Sequence, residues 1–438
     1  MQWPFTFKHA IAFGILIRLV LMPFFGHPFD MFAWYTYIEN ILENGVSLSV
    51  FDIKPVWKLF LIQSGYIYDW FSKLLLINPI PVSTLPANFD PSYGITVITD
   101  PLFNIIVKTP LIIADIVSAF IIYKFVFYYS KDYVISKQAA LLYFCSPIVI
   151  WISAAWGQYD SLAVLFTLLS FYLLLVRKKI FFSSLALYLA MLVKIYPIIF
   201  LIPIIISIWR FDKDRFWKIS RFLVLLFPII LYLVLFQGIL LLEFFNGQII
   251  PQFFLFTIGF GLTYWSAALF LPISPFWAGL TANIIMLILL SISSYYLIKK
   301  SKTRFETIIF GSILYTISVF LAVVYVPEQR SLILLSLLSL AIIKWPKVKY
   351  YSILLSVIAF FYAQKNFPYY LLPIASRFPD YFRPLFSSAS YFTERTSTYL
   401  APNFIGGLIL FVLGLIFSVI ILRIFIKIFR TDNISLEK

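Results

Sequence analysis

Cysteine, histidine and charge are all scarce in this chain of 438 residues, with one Cys, two His and 12% charged side chains. The lone thiol, Cys145, excludes an intramolecular disulfide and a cysteine-based metal site, and it says nothing of redox compartment. Two histidines, His9 and His27, are too few for a histidine metal cluster. No P-loop, dinucleotide-binding glycine fingerprint or nucleophile elbow occurs. The chain also shows no soluble domain, no low-complexity linker and no sequence repeat.

What is abundant is apolar surface: 62% hydrophobic and 20% aromatic residues, with a mean hydropathy of +0.95. That much cannot be hidden inside a water-soluble globule. The apolar runs are long and continuous rather than alternating, which excludes a closed barrel and predicts helical spans of roughly 20 residues each. The net charge of +15 would suggest nucleic acid in a soluble protein. Here Lys and Arg cluster in short loops, at 124–137, 177–179, 210–221, 299–304, 344–349 and 423–430, which is the positive-inside pattern of a membrane protein. Nucleic acid is not an expected partner.

Placing every basic cluster in the cytoplasm threads about twelve spans, near residues 10–25, 104–127, 138–153, 161–176, 180–192, 196–209, 219–241, 277–298, 306–325, 331–343, 350–363 and 404–426. The first run holds Arg18 and has no small-residue cleavage site, so it reads as a retained span rather than a signal peptide. Residues 180–209 must leave and re-enter the cytoplasmic side in too few residues for two full crossings. The chain must therefore turn at Lys194-Ile195-Tyr196-Pro197, where proline lacks an amide proton and disfavours helix before it. Such a break is tolerated where it lines a cavity, so Lys194 is expected to face one that opens outward.

The expected fold is an all-α polytopic membrane protein in one domain, 1–438, with a broken helical hairpin and a long, partly helical first outer loop, 26–103. Within that loop, 56–76 alternates apolar residues with Lys58, Gln63, Asp69 and Lys73, suiting an amphipathic helix lying on the membrane. Further outer loops, 243–276 and 364–403, are aromatic and proline-rich and could pack over the same cavity.

Charges that interrupt apolar segments are expensive, and several lie at the outer ends of the spans. Asp30, in His27-Pro28-Phe29-Asp30, reads either as a cap for a helix starting near Met31 or as a general base whose pKa is raised by desolvation. Asp160 could cap the helix that follows, but capping leaves Trp156 and Gln158 unexplained. A tight turn at Gly157 presenting an indole N–H, an amide and a carboxylate suits a grip on sugar hydroxyls. Lys194 could snorkel or face a phosphate, and Arg330 could give that phosphate a forked contact. A surface pair between Glu328 and Arg330 is the plainer alternative. Arg18 and Asp115 read as a structural pair. A divalent cation held by Asp30 and Asp160 is possible in principle, with no motif to support it; no cofactor is expected.

The stretch Ser146-Pro147-Ile148-Val149-Ile150-Trp151 to Trp156-Gly157-Gln158-Tyr159-Asp160, followed by Lys194-Ile195-Tyr196-Pro197, resembles the GT-C glycosyltransferases, within them the archaeal and bacterial mannosyltransferases related to the second mannosyltransferase of GPI-anchor synthesis. Lys108-Thr109-Pro110 to Asp115 is similar to the second-span segment of that group. Val326-Pro327-Glu328-Gln329-Arg330 resembles a segment of the dolichyl-phosphate-glucose glucosyltransferases, with Pro327 where their His stands. The likeness covers roughly residues 10–335 and is specific only in WGQYD with KIYP. It implies transfer of a hexose, mannose foremost, from a dolichyl- or polyprenyl-phosphate donor to a lipid-linked or protein glycan, glycolipids included, at the outer face. Asp30 would be the base of an inverting single displacement, and Trp156, Gln158, Asp160, Lys194, Tyr196, Glu328 and Arg330 would bind substrate. A Tyr-Pro-Pro segment common in the family is poorly matched by Asp52-Ile53-Lys54-Pro55-Val56, which puts a role for Asp52 in doubt. Two alternatives stand beside it: a transporter or lipid-linked-sugar flippase, for which a broken helix and cavity charges are equally natural, and a glycan polymerase or ligase using diphosphate-linked donors.

Overall fold

The structure is a computed structural model that describes residues 7–46, 55–86, 94–236, 262–264, 275–323, 326–367, 369–393 and 404–430. The protein is an all-α membrane protein, 84% helical. Among the described residues, four helices are long and apolar enough to cross a membrane, and five if a bent pair counts as one span. The single sheet described is a two-residue antiparallel pairing of Ile80–Pro81 with Val97–Ile98. Asp52, Asp90 and most of the 243–276 loop lie outside the described residues.

Helix α1, Phe7–Phe24, ends as expected just after Pro23. Helices α2, Pro28–Asn44, and α3, Pro55–Leu75, occupy the first outer loop. In α3 the residues Trp57, Leu61, Ser64, Gly65 and Tyr68 form the buried face, at the helical repeat that puts them on one side. Leu59, Tyr66, Ile67, Trp70 and Leu74 of the same helix stay exposed, so the expected amphipathic segment is present and carries apolar side chains outward as well as inward.

Helix α4, Pro101–Ser130, starts at a strong N-cap, with Asp100 Oδ1 accepting from the amides of Leu102 (2.8 Å) and Phe103 (3.0 Å). Proline at its first position suits the helix start. Helix α5, Tyr133–Phe144, and α6, Pro147–Trp156, replace the single span expected at 138–153: they meet at 49°. Pro147 sits at the N-terminus of α6, and the residue before a proline is driven out of the α region, which breaks the run at Ser146. The last turn of α6, Trp151–Trp156, widens to a π-helix.

Helix α7, Asp160–Leu175, packs along α8, Ile180–Val193. The chain then turns where the sequence required: Lys194 is extended (φ −148°, ψ 140°), and a 3₁₀ turn, Tyr196–Phe200, leads into α9, Leu201–Phe211. Helices α10, Arg215–Phe236, α11, Pro275–Lys299, and α12, Glu306–Ala322, follow. Helix α13, Ser331–Ala341, is buried at all of its 11 residues, and its only polar side chains are three serines, Ser336 and Ser339 bonding back to the Ile333 and Leu335 carbonyls, as suits a helix at the centre of a bundle. Helices α14, Val348–Ala363, α15, Pro379–Thr393, and α16, Phe404–Arg430, complete the chain.

The two mid-span charges meet. Arg18 Nη2 and Nε lie 3.1 and 3.2 Å from Asp115 Oδ2, with both side chains fully buried. Arg18 also donates to the carbonyls of Gly14 (3.1 Å) and Phe144 (2.9 Å), and Tyr143 Oη donates to Asp115 Oδ1 at 3.3 Å. The pair is closed on itself and ties α1 to α4 and α5.

Candidate active site

Two short turns make the site. The first leaves α1 at Phe25 and enters α2; the second joins α6 to α7 through Gly157-Gln158-Tyr159. Gly157 is left-handed (φ 92°), which only glycine adopts without cost. A Cβ there would also meet Met31 Sδ at 2.7 Å and Lys108 Cε at 3.0 Å. Lys108 lies fully buried beneath both turns. Its Nζ donates to the carbonyls of Met22 (3.2 Å), Phe25 (2.5 Å) and Ala155 (3.2 Å). One lysine amine therefore ties the carbonyl ends of α1 and α6 together.

That clamp brings Asp30 to Trp156. The indole Nε1 donates to Asp30 Oδ2 at 2.5 Å, so the indole N–H expected to hold a sugar hydroxyl is committed to the carboxylate instead. His27, not Asp30, caps α2; Asp30 falls in the first turn, where a negative charge meets the helix N-terminus favourably. His27 Nδ1 lies 3.1 Å from Asp30 Oδ2. The imidazole stacks on Trp156 (4.8 Å, 16°) and meets Tyr370 edge-on (5.5 Å), so the 364–403 loop does reach the site. Desolvation by burial pushes the Asp30 pKa up, but the His27 charge and hydrogen bonds from His27, Trp156 and Gln158 outweigh it and hold the carboxyl at about 2. The upward shift expected from desolvation alone is thus reversed: burial comes with more donors than it removes.

The second cluster centres on Asp160. It does not cap α7, whose cap is Tyr159 with no side-chain bond. Its fully buried Oδ2 instead pairs with Lys194 Nζ at 2.5 Å. The Lys194 ammonium also lies over the Tyr159 ring at 4.5 Å. Tyr159 is stacked on Trp57 (5.2 Å, 16°) and braced edge-on by Trp34 (5.5 Å), which fixes it against α2 and α3. The phenol of Tyr159 feels the charges of both Asp30 and Asp160, and Tyr196 feels those of Asp160 and Arg330. Asp30, Trp156, Gln158, Asp160, Lys194, Tyr196 and Arg330 thus form one neighbourhood.

Glu328 turns away from Arg330. Its buried carboxylate pairs with Lys365 at 3.2 Å, leaving Arg330 with no ion pair among the described residues. Around the two clusters, Gln158 Oε1, Glu328 Oε1 and Gln329 Oε1 are buried acceptors with no hydrogen-bond partner among the described residues, and Asp160 Oδ1 has only the Tyr196 hydroxyl near it. Each unsatisfied acceptor costs about 1–3 kcal/mol, and each fits a hydroxyl donor. A small recess beside the first cluster is lined by Gly26, Pro28, Met31, Val97, Ile98, Thr99, Leu372 and Pro373, next to Asp30 rather than at Lys194. Among the described residues, no three His, Cys, Asp or Glu side chains converge as a metal site would require.

Sequence reasoning missed Lys108 as the clamp, and it missed Tyr370 and Lys365. Lys108 carried a signal, a lysine in the middle of an apolar run. The other two sit in an outer loop whose approach to His27 and Glu328 has no local signature. No protein-family model matches the chain, and no curated protein matches it in sequence.

Proposed function

We propose that this protein is a membrane glycosyltransferase of the GT-C type, moving a hexose, mannose foremost, from a polyprenyl- or dolichyl-phosphate to a glycan or glycolipid hydroxyl. The observation that carries this reading is that Asp30 and Asp160 both act by their charge on Tyr159, beside buried acceptors without a partner among the described residues and an Arg330 with no ion pair among them. The acceptors suit the hydroxyls of a neutral sugar, and Arg330 suits a phosphate, which a planar guanidinium holds in a fork. Lys194 is already neutralised, so its part is to hold Asp160 rather than to carry phosphate charge.

In the proposed reaction Asp30 draws the proton from the acceptor hydroxyl. The oxygen forms its bond to the anomeric carbon from the face opposite the phosphate. The bond from that carbon to the phosphate oxygen breaks with its electron pair leaving on the phosphate, where Arg330 offsets the growing charge. Configuration inverts. In the proposed topology the basic loops lie in the cytoplasm, about twelve spans cross, and the site faces outward. The 11 residues of α13 rise only about 16 Å against an apolar thickness of about 30 Å. A recessed Arg330 in reach of a lipid-borne phosphate follows from that topology.

The test is transfer from radiolabelled polyprenyl-phosphate mannose to octyl mannoside by purified protein. The reading requires transfer by the wild type and its loss in Asp30→Asn. Turnover from diphosphate-linked donors alone would favour the polymerase or ligase class. Wild-type activity surviving in both Asp30→Asn and the double variant Asp160→Asn, Lys194→Met would refute the site.

A further inference from the structure

Asp30 is an awkward base as it stands, because a carboxylate receiving three donors has little affinity for another proton. Its nearest neighbour is better suited to keep one. His27 Nδ1 lies 3.4 Å from the Asp30 amide and 3.1 Å from Asp30 Oδ2; unprotonated it accepts from the amide, and protonated it donates to the carboxylate instead. Two acceptor atoms at 3.1 Å repel unless a proton lies between them, so the second arrangement is the one the shorter distance suits. The imidazole cannot swing away, being stacked on Trp156 and braced by Tyr370. Trp156, Gln158 of the second turn, Tyr370 of the outer loop, and Lys108, which holds Phe25 O two residues before His27, face the pair.

We propose that His27 is the final proton acceptor of the transfer: the acceptor hydroxyl gives its proton to Asp30, which passes it from Oδ2 to His27 Nδ1. This rests on the glycosyl-transfer reading above. The electron pair of the broken hydroxyl bond forms the new bond to the anomeric carbon. The pair from the old bond departs on the phosphate, and the proton remains as an imidazolium paired with the Asp30 carboxylate until solvent takes it. The site must start without that proton, so turnover falls as pH drops.

Two measurements test it. In the first, His27→Asn keeps a favoured N-cap but cannot hold a proton. Its kcat is expected to fall at least about 100-fold with the donor KM changed less than about threefold. The acid limb of its pH–rate profile should move away from that of the wild type. A variant retaining wild-type kcat and acid limb overturns the proposal. The second needs no turnover: in His9→Gln protein with ¹⁵N-labelled histidine, His27 is the only imidazole. Its ¹⁵N spectrum should differ between the protein with Asp30 and Asp30→Asn, as a shared Nδ1–Oδ2 hydrogen bond requires, and identical ring-nitrogen shifts overturn the relay. Differing spectra in a wild type that transfers no sugar refute the glycosyl-transfer reading, and the relay falls with it; an active wild type with an unaffected His27→Asn refutes the relay alone.

Discussion

The Asp160–Lys194 pair offers the sharpest test of how the site is held. At 2.5 Å and an effective dielectric near 20, the Coulomb attraction is about 7 kcal/mol. Desolvation of both ions offsets several kcal/mol of it, while removing one partner of a buried pair typically costs about 3–5 kcal/mol. The two single variants should not cost the same. In Asp160→Asn the stranded ammonium keeps the face of Tyr159, a contact that stabilises by about 1 kcal/mol, and some solvent. In Lys194→Met the stranded carboxylate has no solvent and no cation, only the neutral Tyr196 hydroxyl beside it, since Asp160 is fully buried. We therefore expect Lys194→Met to lose about 4 kcal/mol and Asp160→Asn about 2–3. The double variant should lose less than the sum, with a coupling of about 2 kcal/mol. Reversible unfolding in mixed detergent micelles, followed by tryptophan fluorescence, measures all three. Strict additivity, or a Lys194→Met variant no worse than Asp160→Asn, would refute the reasoning.

Asp30, lowered from 3.8 to about 2, favours the folded state above its unfolded pKa, and that contribution is lost as pH falls through about 2. The wild type should lose about 2 kcal/mol more than Asp30→Asn between pH 4 and pH 2, read by denaturant titration at each pH; parallel curves would contradict the donor set around Asp30. Trp156→Phe keeps a ring against His27 but removes the donor to Asp30, so the acid limb of transfer should move upward in pH with little change in donor KM. Gly157→Ala meets both a left-handed backbone and Met31 Sδ at 2.7 Å, and should destabilise by about 1–3 kcal/mol; Met31→Ala in the same chain should restore only the steric part, as thermal unfolding will show. Asp115→Asn should cost about 3–5 kcal/mol by stranding Arg18, with much of it regained in Arg18→Met, Asp115→Leu; a single variant as stable as the wild type would show that the pair does not hold α1 to α4.

Helices were legible where one physical signal acts alone. Pro197 forces the break after Lys194 wherever tertiary contacts lie, and Asp100 before Pro101 marks a helix start that needs nothing else. The α5–α6 bend was equally local, and Pro147 announces it, yet hydropathy averages across the Cys145-Ser146-Pro147 break and joins the two halves into one span. Of the two readings open at Asp30 and Asp160, capping fails at both for a common reason. Aspartate before an apolar run is a favoured cap, but a histidine three residues earlier and a lysine 34 residues later compete for the carboxylates, and only the fold brings those partners near.

The charges in apolar surroundings divide by whether their bonding capacity is used up. Arg18 and Asp115 saturate each other, with carbonyls and Tyr143 taking the remainder, and Lys108 spends all three of its N–H donors on carbonyls. Such groups fix helix ends and leave nothing for a ligand. Asp160, Glu328 and Arg330 are different: each carboxylate keeps a buried oxygen without a partner, and the guanidinium keeps its fork. An unsatisfied oxygen is not enough by itself, since Asp212, paired with Arg221 and Arg304, keeps one too; what sets Asp160, Glu328 and Gln158 apart is that their unsatisfied atoms lie beside Arg330 and the two turns, which suits acceptors toward hydroxyls and a cation toward phosphate. A Lys108→Met variant should on this logic separate the turns and loosen the Trp156–Asp30 bond. Arg330→Gln should leave folding intact and raise the donor KM, and an Arg330→Gln protein that unfolds like Asp115→Asn would show the division to be wrong.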